Sequence, residues 1–353
     1  MNLKKLRKKI DTIDGQIVRA LDERAKISLA IGKEKLRNKQ GIYSPDREKE
    51  VLERIKAMNK GPLPSRAMEA IYREIMSSSL SLEKPLDIGY LGPEASFTNL
   101  AALRKFGSQV NYVSCDNISE VFLRVDKGDC DYGVVPIENS IEGAVTHTFD
   151  LLVDSDLRIC SQILLEISHN LLSKTRIEKV EVIYSNPQVF GQCRNWLQAN
   201  LPRAELIEVS STTRAAQIAA KKKNAACIAS TLAAKVYGLK IIKKDIEDTP
   251  HNITRFLVIA TNDVPPTGRD RTSILFSIKD RVGALHDMLI PFRSNKINLT
   301  KIESRPSKKK AWDYYFFVDF EGHRLEKKVT RALSQLESRC KYLKILGSYP
   351  VVE

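Results

Sequence analysis

Leu3, Leu6, Ile10, Ile13, Ile17, Ala20, Ile27 and Ile31 recur at three- and four-residue spacing, and no proline interrupts the run. That spacing is the apolar stripe of an amphipathic helix. Carried from Leu3 to Leu36, the helix is about 50 Å long. A compact domain built from the first 85 residues is narrower than that, so the stripe cannot be covered within it. Such a helix needs a second copy along its length, which predicts dimerisation.

Arg24 stands in the middle of this stripe, where Ile or Leu is expected. A buried, unpaired guanidinium costs several kcal/mol, so Arg24 should meet an anion. Lys35 follows on nearly the same face, about 16 Å further along the axis. Two long side chains reaching inward fit one small dianion. Arg7 is about 26 Å from Arg24, so only an antiparallel partner helix brings it to the same ligand, as Arg7 of the partner subunit.

A turn at 40–45 leads to a second helix, Asp46 to Asn59. Gly61-Pro62-Leu63-Pro64 ends it, and a third runs from Ser65 to Glu83. LRKKID, ERAKISLAIGKEK, YSPDREKEVLERI and AIYREIMSSSLSLE resemble the all-helical chorismate mutase family over the whole segment. The resemblance implies that Arg7, Arg24 and Arg47 grip carboxylates, Glu48 accepts from the ring hydroxyl, and Ser79 lines the pocket. Lys35 and Glu83 would flank the ether oxygen. Ser44 stands where an aspartate is often found, and Glu83 where a glutamine is common. A carboxylate repels the oxygen, so Glu83 must be protonated to donate, and mutase activity should weaken as pH rises.

At 353 residues the chain has room for two or three domains. No apolar run approaches the roughly 18 residues of a membrane helix, and the charged N-terminal helix contains no apolar signal region. A cytoplasmic protein with no membrane partner is expected. Six scattered cysteines, several inside apolar runs and none in a CxxC pair, favour buried free thiols. The five histidines show no ligand spacing, so neither a metal nor a cofactor is expected. A net charge of +14 suggests anionic partners. No nucleic-acid recognition motif is present, and small polycarboxylates explain a basic chain equally well.

From 86 to 264, strands such as LDIGYL, CDYGVV, VEVIY, AACIA and RFLVIA alternate with helical patterns, which predicts a doubly wound α/β architecture. One long strand from Leu157 to Leu172 suggests two lobes around a cleft. The run before Pro136 reads as a buried strand ending there, followed by Glu138, Asn139 and Ser140. In open α/β sheets ligands sit past such strand ends. As ordinary helix caps these residues would do nothing more. GPEASFTNLAA, GVVPIENSIEGAV, ISHNLL, YSNPQVFGQC, AACIAS, YGLKII and NITRF together resemble prephenate dehydratase, a two-lobed cleft similar to periplasmic binding proteins. The resemblance implies a site of Glu138, Asn139, Ser140, Ser185, Gln192, Thr254 and Arg255, with Phe256 packing beside them. Thr254 would contact the leaving oxygen, either donating a proton or relaying one. Glu138 and Asn139 would share the chemistry, while Ser140, Ser185, Gln192 and Arg255 bind. His147 and His169 read as structural or solvated.

Asn262 to Arg271 is a linker with two prolines. From 270 to 353 the pattern is βαββαβ, with helices at Val282–Asn295 and Leu325–Ser338 and a solvated basic turn at 307–310. GALH (283–286) and ESRP (303–306) resemble the ACT domain of phenylalanine-responsive prephenate dehydratases. That implies phenylalanine held between two such domains by Gly283, Ala284, Leu285, Asn298, Glu303 and Ser304.

The order of segments, 1–85, 86–264 and 270–353, resembles the bifunctional chorismate mutase/prephenate dehydratases. The expected ligands are chorismate, prephenate and phenylalanine, and the expected assembly is a homodimer or homotetramer. Two rivals stand beside this: a dehydratase whose helical segment only dimerises, and a small-acid binding protein without turnover.

Overall fold

The structure, a computed structural model, describes residues 2–38, 41–278, 281–307 and 314–351. The expected basic turn at 308–310 lies outside them. The chain divides into two compact units, 1–87 with 105–112 and 88–104 with 113–353.

The first unit is helical: α1 (Leu3–Arg37), α2 (Pro45–Met58) and α3 (Ser65–Glu83). Asn2 caps α1 by accepting from the Lys4 amide at 3.1 Å. At Gly32 an added Cβ would lie 2.8 Å from the Glu83 Cβ, so only glycine lets α3 approach α1 this closely. The N-terminal part of α1 has no such neighbour. Leu3 is 61%, Ile10 56% and Ile17 51% exposed, and the helix buries only Ser28 and Gly32 among its described residues. Its apolar ridge is left uncovered by the described residues.

The second unit holds three sheets. The strands are β1 (Asp87–Leu91), β2 (Asn111–Cys115), β3 (Tyr132–Asn139), β4 (Gly143–Ala144), β5 (Arg158–Glu166), β6 (Asn170–Ser173), β7 (Val182–Ser185), β8 (Glu205–Glu208), β9 (Ala225–Ala229), β10 (Lys240–Lys243) and β11 (Ile253–Ala260). Between them lie α4 (Phe97–Phe106), α5 (Ile118–Asp126), α6 (Thr146–Asp154), α7 (Pro187–Gln192), α8 (Arg194–Asn200), α9 (Thr212–Ala219) and α10 (Thr231–Tyr237). The first sheet has the order β2-β1-β3-β11-β5, with β4 on β3, and the second β10-β6-β9-β7-β8. Both are mixed, because β11 runs antiparallel to β3 and β5, and β6 antiparallel to β9 and β10.

Two expectations need correction. Leu157–Leu172 is not one strand: β5 ends at Glu166, and residues 167–169 carry the chain to β6 in the other sheet. Nor does β3 stop at Pro136. It continues to Asn139 and passes Pro136 at a register shift against β11, where a residue lacking an N–H is tolerated.

The third sheet contains β12 (Asp270–Ser277), β13 (Leu299–Pro306), β14 (Tyr314–Glu321) and β15 (Tyr342–Pro350), in the order β13-β14-β12-β15. With α11 (Ala284–Ser294) and α12 (Lys327–Glu337) this is βαββαβ. α11 starts later than the periodicity suggested, because Gly283 caps it at φ +77° and Val282 is fully exposed. This sheet shares one core with the first: Ile137, Phe149 and Leu257 pack with Leu275, Phe317, Leu346 and Tyr349. Each such side chain is worth roughly 1.5–3 kcal/mol when fully buried. Lys344 on β15 caps α6, donating to the carbonyls of Leu152, Val153 and Ser155. A Cβ at Gly347 would collide with the Ile159 carbonyl at 2.1 Å. The third sheet is therefore docked on the first, not tethered to it.

Candidate active sites

In the helical unit, the α1 cations meet α3. Arg24 donates to Ser79 Oγ, and that hydroxyl is anchored by donating to the Ile75 carbonyl at 2.8 Å. Lys35 Nζ lies 2.5 Å from the Ile42 carbonyl and 3.1 Å from Glu83 Oε2, with both side chains largely buried. Glu48 accepts from Tyr43 at 2.5 Å and from Lys105 at 2.8 Å, all within the same unit. Two partly buried cations beside a hydroxyl and a carboxyl are groups that can meet a small dianion. Arg47 is not brought to it: its guanidinium pairs with Glu50 at 2.5 Å, one turn along α2 and half exposed. Arg7 sits on the uncovered part of α1, about 26 Å from Arg24.

In the second unit, β3 and β11 place Asn139 opposite Thr254. Asn139 Oδ1 accepts from the backbone amides of Ile141 (2.9 Å) and Glu142 (3.0 Å), which fixes which way the side-chain amide points. Its nitrogen therefore donates to Asn252 Oδ1 (2.6 Å) and to Thr254 Oγ1 (2.8 Å). Since Thr254 accepts in that bond, its own proton is left for another acceptor. Gln192 Nε2 donates to Glu142 at 2.9 Å, and its Oε1 accepts from Asn252 Nδ2 at 3.3 Å. The same oxygen is 2.7 Å from His169 Nε2, which must then carry the hydrogen.

Burial holds the His169 imidazole below its ordinary pKa, outweighing the opposing Gln192 bond, so the ring is neutral. Below pH 6.5, the ordinary histidine value, the unfolded chain takes up a proton that the folded one refuses. Stability is therefore expected to be flat above that pH and to fall as pH drops through it. Thermal unfolding measured across this range should show the decline in the wild type and a smaller one in His169→Asn.

The remaining expected residues divide. Ser140 Oγ accepts from the Ile253 amide at 2.9 Å and faces the His251 carbonyl at 3.3 Å, clamping the turn beside Asn139. Ser185 is fully buried and donates to the Ile228 carbonyl at 3.0 Å. Phe256 is in the core.

Glu138 and Arg255 do not share the face of Asn139 and Thr254. Side chains alternate along a strand, and the bulge at Ile137 puts Glu138 beside Arg255 on the face that meets the third sheet. There Arg255 Nη1 contacts Glu138 Oε1 (2.9 Å) and Asp319 Oδ2 (2.6 Å), and Nη2 donates to Tyr349 (2.8 Å). Lys301 holds the other Glu138 oxygen. Burial alone would raise the Glu138 pKa, but its bonds to Lys301 and Arg255 hold it below the usual carboxylate value. The structure thus brings Arg255 and Glu138 together in an ion cluster and not beside the Asn139–Thr254 pair.

Comparison with known proteins assigns a family to each segment. Residues 6–84 match the family described as chorismate mutase type II, 88–264 prephenate dehydratase, and 272–338 the ACT domain. A bifunctional chorismate mutase/prephenate dehydratase from Aquifex aeolicus is 50% identical over 99% of this chain and 98% of its own length. The chain belongs to the bifunctional chorismate mutase/prephenate dehydratase family. The relative from Pseudomonas aeruginosa is 43% identical, covering 99% of this chain and 97% of its own. A solved prephenate dehydratase from Arthrobacter aurescens, in complex with L-Phe, is 32% identical with a TM-score of 0.70, covering 75% of this chain and 90% of that one.

The protein thus has a chorismate mutase segment and a prephenate dehydratase segment, followed by an ACT domain. In the ACT domain, Gly283, Ala284 and Leu285 line a cavity of about 300 Å³ with Ile278, Tyr314 and Phe316. Asn298, Glu303 and Ser304 do not line it: Asn298 donates to Glu321 at 3.2 Å, and the other two lie on the edge strand β13. Among the described residues no group of side chains has the makings of a metal site, and no helix is long and apolar enough to cross a membrane. Sequence reasoning passed over Asn252 in the dehydratase cluster and read His169 as structural or solvated. The first was legible, because Asn252 and Thr254 are two apart on one strand and so share a face.

Proposed function

We propose that Thr254 acts on the leaving hydroxyl of prephenate, that Arg24, Lys35 and Glu83 serve chorismate, and that phenylalanine inhibits through the ACT domain. The observation that carries the dehydratase half is the direction of the Asn139–Thr254 hydrogen bond. Prephenate loses carbon dioxide as the carbon–carboxylate bond breaks; the electron pair enters the ring and the hydroxyl leaves at the far side. A hydroxyl whose lone pair accepts from Asn139 is polarised to give its proton to that oxygen. A neutral His169 and Gln192 hold the amides in register without adding charge.

The mutase reaction is a rearrangement with no covalent enzyme step. Its site supplies a compact conformer and donors to the ether oxygen. Lys35 is one donor, and the Glu83 carboxylate 3.1 Å away holds its ammonium in place. Glu83→Ala, which frees that ammonium, is expected to slow the reaction on chorismate by about tenfold with prephenate turnover unchanged. An unchanged chorismate rate would count against this role.

The uncovered ridge of α1 supports a homodimer in which Arg7 of the partner subunit completes each mutase pocket. Pairing of ACT domains would allow a tetramer as well. The buried thiols suit a reducing compartment, in keeping with the cytoplasm. Coupled assays on chorismate and on prephenate, with and without phenylalanine, test the whole reading. Prephenate that yields phenylpyruvate no faster than in buffer would end it.

A further inference from the structure

We propose that the C-terminal domain supplies positioning residues to the dehydratase centre, Lys301 acting through Glu138 and Asp319 with Tyr349 through Arg255. This rests on the reading that residues 88–264 convert prephenate and that the C-terminal domain senses phenylalanine. Glu138 and Arg255 are the chain neighbours of Asn139 and Thr254, on paired strands. Any displacement of their backbone moves the groups that face the substrate, and misplacement by about 1 Å is enough to cost roughly 100-fold in rate.

The cluster is balanced in a particular way. The catalytic domain contributes one cation and one carboxylate, Arg255 and Glu138, and the C-terminal domain another such pair, Lys301 and Asp319. Arg255 meets the carboxylate of each domain, and Lys301 binds Glu138 across the boundary. Ser273 reinforces the C-terminal side, donating to Asp319 at 2.5 Å and lying 2.6 Å from the Tyr349 hydroxyl. With Arg255 and Tyr349 almost wholly buried, water cannot replace a lost partner.

β13 ties this clamp to the effector. Its residues alternate between half-buried and exposed along the whole strand. Lys301 and Arg305 point at the catalytic domain, toward Glu138 and, at 3.6 Å, Asp150 of α6. Ile302 and Ser304 point away. Ser304 stands opposite Phe316 of β14, which lines the cavity beside Gly283, so one strand runs next to that cavity on its outer face and carries the clamp on its inner face. Lys344 and Gly347 lock β15 on the opposite edge of the sheet, while β13 is an edge strand that can shift.

The test compares Lys301→Met, which keeps the side-chain length without the ammonium, with Lys301→Arg and Asp319→Asn. For each, kcat and KM for prephenate, phenylalanine affinity by calorimetry, inhibition at saturating phenylalanine, and the mutase rate on chorismate are measured. Lys301→Met and Asp319→Asn are expected to lose about tenfold in kcat, with KM within about twofold and the mutase rate unchanged. Phenylalanine should bind Lys301→Met as before and yet inhibit it less, and Lys301→Arg should restore both properties. Wild-type kcat and full inhibition in Lys301→Met and Asp319→Asn overturn the proposal. So does a loss that arginine fails to rescue, since that marks a merely structural contact. A wild-type protein inert toward prephenate sinks the underlying reading as well, whereas an active wild type with unaltered variants sinks the proposal alone.

Discussion

Thr254→Val is expected to lower phenylpyruvate formation from prephenate by about 10²–10⁴-fold, while Thr254→Ser keeps most of it. Valine has the shape of threonine without the hydroxyl, so the strand pairing of Thr254 with Asn139 and Leu165 survives. What is lost is a hydroxyl that accepts from Asn139 and so keeps its own proton to give. Asn139 cannot substitute, because both of its amide hydrogens are engaged by Asn252 and Thr254. The loss should fall on kcat more than on KM, since the interaction grows as the carbon–oxygen bond breaks. The mutase rate on chorismate, made by a separate helical unit, should not change. A valine variant that still turns over prephenate within tenfold of wild type would remove Thr254 from the chemistry.

Arg24→Ala is expected to cost the chorismate reaction about 10²–10³-fold and leave prephenate turnover as it was. The arginine is held by Ser79, itself tied to the α3 backbone, so its guanidinium is aimed before any ligand arrives. Removing it opens no large cavity, because α1 is little buried along its length. Circular dichroism should therefore be unaltered while chorismate consumption collapses. If the variant consumed chorismate at the wild-type rate, the helical segment would be a dimerising element and no more.

The helices were legible because periodicity reports them directly. α1 and α3 begin at the residues that spacing and the Gly-Pro break indicated, and α1 ends one residue later. The βαββαβ order was legible for the same reason. What could not be read was the face each strand residue takes. A motif such as TRF invites the assignment of Thr254 and Arg255 to one pocket, although alternation along β11 forbids it. For Glu138 even alternation misleads, since the bulge at Ile137 shifts the phase and is set by tertiary pairing. The partners of Arg255 lie 64 and 94 residues away, in a domain whose docking no local pattern announces. His169 was read as structural or solvated because a lone histidine after an apolar run carries no signal of its own. The contact with Gln192, which also meets Asn252, ties it to the cluster.

The placing of Tyr349 bears on how the protein is made. Synthesis runs from the amino end, so Arg255 leaves the ribosome well before Asp319, and Asp319 before Tyr349. A nascent dehydratase sheet must wait with that guanidinium paired to Glu138 alone, on the face that β12, β14 and β15 will cover, and N-terminal segments fold first during synthesis. Products interrupted ahead of β15 would carry that exposed charge next to a bare apolar surface. Maturation of the catalytic centre thus coincides with arrival of the sensing domain, and an unregulated half-enzyme would be poorly folded from the outset.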